Sequence, residues 1–241
     1  MIESAQNDTF KKLLSLTSAK GLKKEGLFLL CGKKLIDEFL QKPSLEIAYE
    51  VLTPKLTSVA PKATQVVLAA ALFDEIDVLG THYNILVLKQ PRIPELTATD
   101  LETYKPKGIE LVAPIGDPGN LGALIRSCEA FAIPRVILTE EAAHPFLPKS
   151  VKASAGSVLR VPFAYGPSLK SFPTSCIALD SGGTPIDEFT WPKQALLVIG
   201  EEGPGVNAHP FSTRIAIPTT GVESLNVVVA ASIALSRLPK K

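Results

Sequence analysis

Three stretches of this 241-residue chain carry residues whose types and spacing could do chemistry. Residues 114–137 hold an Asp117-Pro118-Gly119-Asn120-Leu121-Gly122 turn followed at once by a helical pattern. Leu121, Leu124, Ile125 and Cys128 recur at the spacing of a buried helix stripe. Arg126 lies well round the wheel from that stripe, on the side that can face a cleft. Asp117 or Asn120 could cap the helix. Residues 195–206 run from an apolar strand pattern into Gly200-Glu201-Glu202-Gly203-Pro204-Gly205. Glycines there permit positive φ and let backbone approach a ligand closely. Residues 215–235 place Ser224-Leu225-Asn226 before an apolar helical run, and helix starts present free N–H groups and a positive dipole end. A guanidinium, a close-approach backbone and free N–H donors are all ligand-facing groups. Taken singly, each also has a plain structural reading: an exposed arginine, a turn, an N-cap.

The elements that must position these groups follow from pattern. Residues 110–115, 135–138, 157–162, 175–179, 195–199 and 214–217 read as strands, several of them apolar throughout, as strands buried on both faces are. Residues 121–131, 148–153 and 224–238 read as helices. Strand alternating with helix implies an α/β fold with a mostly parallel sheet covered by helices. Before it, residues 10–18, 32–40 and 72–79 read as helices and 27–30, 46–52, 65–69 and 85–88 as strands, a small α/β domain with its own core. Three prolines and many polar residues in 89–107 mark a linker. The expected division is therefore 1–90, a linker at 91–107, and 108–241.

The ordered triplet formed by the Asp117–Gly122 turn with Arg126, the 195–206 loop and the 215–235 segment resembles the three motifs of the SpoU/TrmH family. These are ribose 2′-O-methyltransferases of the SPOUT superfamily. The resemblance implies a C-terminal trefoil knot in the sheet, against the general rarity of knots, and S-adenosylmethionine as cofactor. It places Arg126, Asn120, Glu202, Ser224 and Asn226 at the reacting ribose. It places Leu179, Gly200, Gly205, Ile217 and Leu225 around the cofactor. It also implies a homodimer through the knot region and the C-terminal helix. Residues 23–35, Lys-Lys-Glu-Gly-Leu-Phe-Leu-Leu-Cys-Gly-Lys-Lys-Leu, resemble the family's substrate-binding domain, which is similar to ribosomal protein L30e. The sequence departs from the family pattern at Leu22, where many relatives have arginine, at Cys31 for glutamate, at Glu201 for asparagine, and in a shorter 218–222 loop. The loss of arginine at Leu22 implies a weaker phosphate contact or a shifted choice of RNA.

The resemblance further implies RNA as partner, ribosomal RNA ahead of transfer RNA. Net charge is only +1, but seven lysines stand against three acids in residues 1–34, and distribution matters more than the total. Lys23, Lys24, Lys33 and, between the first two motifs, Lys152 are the expected RNA contacts. Lysine at 152, where arginine is common, keeps charge but loses bidentate phosphate geometry. Three well-separated cysteines (Cys31, Cys128, Cys176) suit a reducing cytoplasm and offer no zinc spacing. No metal site, export signal or membrane span is expected. Two other function classes stand beside the enzyme. One is a non-catalytic RNA-binding protein that keeps the fold, which degeneration at Arg126, Asn120 or Ser224 would have supported. The other is a Rossmann oxidoreductase, which lacks its Gly-x-Gly-x-x-Gly turn in the first βα unit.

Overall fold

The computed structural model describes residues 1–200, 209–222 and 224–239. The chain divides into two compact units, residues 1–92 with 144–159, and residues 93–143 with 160–241.

The first unit opens with α1 (Asp8–Ser15), capped by the Asn7 side chain, and α2 (Ala19–Glu25). Pattern alone does not show α2, which lacks an apolar stripe. It is defined by its ends: Ser18 Oγ accepts from Gly21 N, and Gly26 takes the left-handed conformation that stops the helix. Gly21 is required there, because a Cβ would lie 1.9 Å from the Ser15 carbonyl oxygen. A four-stranded mixed sheet follows from β1 (Leu27–Leu30), β2 (Ile47–Leu52), β3 (Thr64–Val67) and β4 (Ile85–Lys89), in the order β1-β4-β2-β3. The helices α3 (Lys33–Gln41) and α4 (Ala70–Ile76) complete it. Residues 144–159 also belong to this core. Phe146 is fully buried and stacks on Phe28 with ring centroids 4.5 Å apart, and α7 (Pro148–Ala153) packs on β1.

The linker expected at 91–107 is folded. Thr97 and Asp100 form a reciprocal capping box at α5 (Ala98–Thr103), and residues 93–107 pack with the second unit. Glu110, fully buried, accepts from Tyr104 Oη (2.5 Å) and Lys107 N (2.9 Å), while Arg135 donates to Tyr104 Oη (2.7 Å). Burial, then the Glu110 carboxylate, pushes the Tyr104 hydroxyl up to about 12, so it remains a donor.

The second unit is built on β5 (Ile109–Ala113), β6 (Val136–Leu138), β7 (Phe163–Tyr165), β8 (Ile177–Pro185), β9 (Ala195–Val198) and β10 (Thr213–Ala216). All pair in parallel, in the order β10-β8-β9-β5-β6-β7, so the mostly parallel α/β sheet is present. The strand expected at 157–162 is not. Ser157–Leu159 is a 3-10 turn, entered through left-handed Ala155 and Gly156. Pro162 offers only its carbonyl, to Val136 N, so the ladder begins after it. The edge strand β7 is covered by the Pro94–Leu96 backbone, which exchanges hydrogen bonds with Tyr165. The helices α6 (Pro118–Ala130) and α8 (Val227–Ser236) pack on each other.

Glu50 is the fully buried carboxylate of the first unit. It accepts from Ser58 Oγ (2.5 Å), Val59 N (2.7 Å), Asn84 Nδ2 (2.7 Å) and Ala60 N (3.2 Å). Burial raises its pKa, but these donors together outweigh burial and hold it below the usual carboxylate value. A depressed folded pKa stabilises above the unfolded value, and the stabilisation is lost as pH falls through the folded one. Glu50→Gln, which turns an amide donor onto existing donors, is expected to cost about 3 kcal/mol at neutral pH. Denaturant titration should show that difference shrinking once pH falls below the carboxylate range.

Candidate active site at the carboxyl end of the parallel sheet

Because the strands of the second sheet run in parallel, their carboxyl ends open on one side, where ligands of such sheets bind. Leu179 follows Ala178 on β8, Gly200 follows β9 by one residue, and Ile217 follows β10 directly. These three strands are neighbours, and β5, next to β9, leads into α6. The sheet thus gathers Leu179, Gly200, Ile217 and the Asp117–Asn120 turn at one end. Leu179 is buried, and Ile217 and Leu225 are half-buried. Apolar side chains on adjacent strand ends, beside exposed backbone of 218–222, are chemically suited to an adenosine group. Glu202 and Gly205 lie outside the described residues.

Helix α6 starts as its sequence dictates. Asp117 Oδ1 accepts from Asn120 N (2.8 Å) and Pro118 occupies the first turn. Asp117, not Asn120, is therefore the cap. Leu121, Leu124, Ile125 and Cys128 are fully buried and Arg126 is exposed, as the stripe requires. Burial pushes the Cys128 thiol far up, so it is an inert core residue. Next to Arg126, Ser127 Oγ lies 2.7 Å from Ser232 Oγ, and Ser232 also donates to the Val228 carbonyl (2.7 Å). This side-chain contact joins the arginine helix to α8.

The start of α8 differs from expectation. Its cap is Asn226, whose Oδ1 accepts from Val228 N (2.9 Å) and Val229 N (3.4 Å). Ser224 lies exposed outside the helix. Asn accepts two helix-end donors from one side-chain oxygen, so the helix starts two residues later than a Ser224 cap would put it. The Ser224 side chain is accordingly not consumed by capping.

The lysines gather in the first unit. Lys23 and Lys24 end α2, Lys33 opens α3, and Lys152 sits on α7; all four are exposed. Lys24 lies 3.3 Å from Glu25, and Lys33 lies 2.6 Å from Asp37 and 5.6 Å from the Tyr83 ring centre. His144 is driven down to about 4 by burial, with Lys23 adding to the effect. Cys31 is pushed up to about 12 by burial and Asp77, against an opposing pull from Lys152. These fields place Lys23 and Lys152 near the buried groups where residues 144–159 meet β1. The first unit holds fourteen Lys and Arg against ten Asp and Glu, a net +4, and the second a net −3. Leu22 is fully buried, so its side chain does not face solvent. Cys31 is likewise a core residue.

Sequence reasoning missed Arg214 and Asp180, an ion pair beside Leu179. The signal was an arginine inside a short strand, directly before the apolar Ile215-Ala216 pair. Among the described residues, no group of His, Cys, Asp and Glu could hold a metal ion, and no helix is long and apolar enough to cross a membrane.

The fold built on this six-stranded parallel sheet is similar to that of the SpoU methyltransferase AviRb from Streptomyces viridochromogenes in complex with AdoMet, with a TM-score of 0.79 at 22% identity over 96% of this chain and 97% of that one. Residues 110–236 match the model of the SpoU rRNA Methylase family, and the chain belongs to that family. It is 28% identical to the Bacillus subtilis 23S rRNA (guanosine(2553)-2′-O)-methyltransferase RlmP, over 98% of each chain. It is 35% identical, over 97% of its length, to the Syntrophobacter fumaroxidans ribosomal RNA small subunit methyltransferase G 2. Of that relative it spans only about half, 48%.

The cap assignment has a direct check. Asn226→Ala should cost about 1 kcal/mol and Asn226→Asp close to nothing. Thermal melts of the two variants would read the difference.

Proposed function

We propose that this chain methylates the 2′-oxygen of a ribose in RNA, ribosomal RNA in the first instance, using S-adenosylmethionine. The observation that carries the reading is membership of the SpoU family together with an exposed Arg126 on the helix that follows β5 of the parallel sheet. Membership of the family and the 2′-O-methyltransferase named among its relatives support it. S-adenosylmethionine would supply an electrophilic methyl group, with Leu179, Gly200, Ile217 and Leu225 around it. Glu202 and Gly205, outside the described residues, are assigned to the site by family resemblance.

The chain's own contribution is orientation and charge. A ribose hydroxyl is a poor nucleophile until its proton is removed, so its oxygen must be aligned with the methyl carbon and its developing charge stabilised. Arg126 stabilises the developing alkoxide and grips the adjacent phosphate, the proton passing to that phosphate or to water. A guanidinium with a pKa above about 12 is a poor base but a good planar donor. Asn120, Ser224 and Asn226 orient Arg126 and the ribose. Lys23, Lys24, Lys33 and Lys152 hold RNA phosphates in the L30e-like first unit, whose net +4 supports that division of labour. The second unit carries the trefoil knot.

The protein acts as a cytoplasmic homodimer. Helix α8 is apolar on nearly every side, yet only Ala231, Ala234 and Leu235 are buried within the chain, and Val229 is 48% exposed. An unpartnered apolar face of that kind suits a second copy.

The test is transfer of labelled methyl from S-adenosylmethionine to RNA from cells lacking the protein, with the modified ribose mapped by resistance to alkaline cleavage. Arg126→Ala should abolish transfer while cofactor binding persists, and Arg126→Lys should also fail. Loss of cofactor binding with turnover retained in the bound fraction would overturn the role. Alanine at Lys23 or Lys152 should weaken RNA binding and lower the slope of log Kd on log salt by about 0.7–0.9 each. Val229→Asp should give a monomer by light scattering.

A further inference from the structure

The pairing of β8 with β10 is interrupted where the proposed cofactor site lies. Arg214 pairs with Ala178, but the next residue, Ile215, pairs with Thr184. One backbone step on β10 therefore faces a five-residue excursion on β8, Leu179-Asp180-Ser181-Gly182-Gly183. Such an excursion carries unpaired backbone, and its shape must be imposed by other contacts.

Two features impose it. Gly183 closes the excursion against β10: a Cβ there would lie 2.5 Å from both the Arg214 carbonyl carbon and the Ile215 nitrogen, so no larger residue allows the same approach. The Arg214 side chain spans it. One guanidinium nitrogen donates to Asp180 Oδ2, and the other donates to the His209 carbonyl oxygen at 2.6 Å. His209 is buried and immediately follows the glycine-bearing 200–208 stretch. The Asp180 side chain is 8% exposed and that of Arg214 25% exposed, so the pair is only partly screened by water. One planar cation thus ties the excursion that begins at Leu179 to the backbone at His209. A fork with two arms suits this task, and a single ammonium does not.

We infer that Arg214 is a positioning residue for the cofactor pocket, holding the 179–183 excursion and His209 at the separation the methyl donor requires. The inference rests on the proposal that this end of the sheet binds S-adenosylmethionine. Arg214 acts through Asp180 and His209 and does not touch the reacting atoms.

The test is calorimetric titration of the full chain with S-adenosylhomocysteine, alongside steady-state kinetics. Arg214→Ala should raise the Kd for S-adenosylhomocysteine, and the KM for S-adenosylmethionine, about tenfold or more, the scale of a lost charge-assisted contact. The kcat at saturating cofactor should stay within about twofold, because Arg126 is untouched. Asp180→Asn should act in the same direction, and the double variant should be no worse than Arg214→Ala alone. A merely structural arginine would instead lower the melting temperature and the active fraction with Kd and KM unchanged, and that result overturns the inference. Should Arg214→Ala fail to fold, Arg214→Lys retains the cation and loses one arm. Its Kd should be intermediate, and an unchanged Kd overturns the inference equally. Wild-type protein that binds no S-adenosylhomocysteine overturns the reading of the site as well. Wild-type binding matched by Arg214→Ala overturns this inference alone.

Discussion

Parallel pairing of six strands is the constraint on which the second unit depends. It turns every carboxyl end to one side, so residues far apart in sequence, from Asp117 to Ile217, lie toward the same end of the sheet. Such strands must be buried on both faces, and the near-continuous apolar runs in β5, β6 and β9 are its direct cost in sequence. Helices then have to cover the sheet, and α6 does so with a stripe that leaves Arg126 outside it. The exposed arginine is a consequence of how the helix buries its other side.

Polar groups buried in this molecule are placed where loops must be held. Glu50 gathers the donors of residues 58–60 with Asn84, Glu110 ties residues 104–107 to the start of β5, and Asp180 with Arg214 spans a gap in the ladder. In each case a carboxylate supplies several acceptor positions to backbone or side-chain donors that have no ladder partner. A buried carboxylate without those donors would be strongly destabilising, and loops without the carboxylate would lose their shape.

Local pattern made much of the fold legible. The α6 stripe, the β1 strand at Leu27–Leu30 and the α7 helix at Pro148–Ala153 follow from periodicity and turn residues within their own windows. What pattern could not show is which core an apolar side chain joins. Phe146 is buried, and nothing local in the sequence says that it stacks on Phe28, more than a hundred residues away. The helix α2 was illegible because its reason is a close approach at Gly21 and not a stripe. The capping box of α5 was present in the sequence, at Thr97 and Asp100, and was masked by the prolines around it. At the site, residue types singled out Arg126 and the strand ends as candidates. Arg214 escaped because its role depends on a register shift that only the paired strands reveal.

The charge division between the units bears on how recognition and chemistry are shared. RNA binding is driven largely by phosphate neutralisation, and the second unit, at net −3, is ill suited to supply that. In the proposed reading, affinity therefore comes from the lysines of the first unit, which includes α7 with Lys149 and Lys152 and no acid between residues 144 and 159. That segment is drawn from the middle of the catalytic sheet's own sequence, between β6 and β7. An arginine that needs only to stabilise charge gains from this arrangement, since delivery of the ribose is left to other residues and Arg126 can remain a fixed, exposed donor.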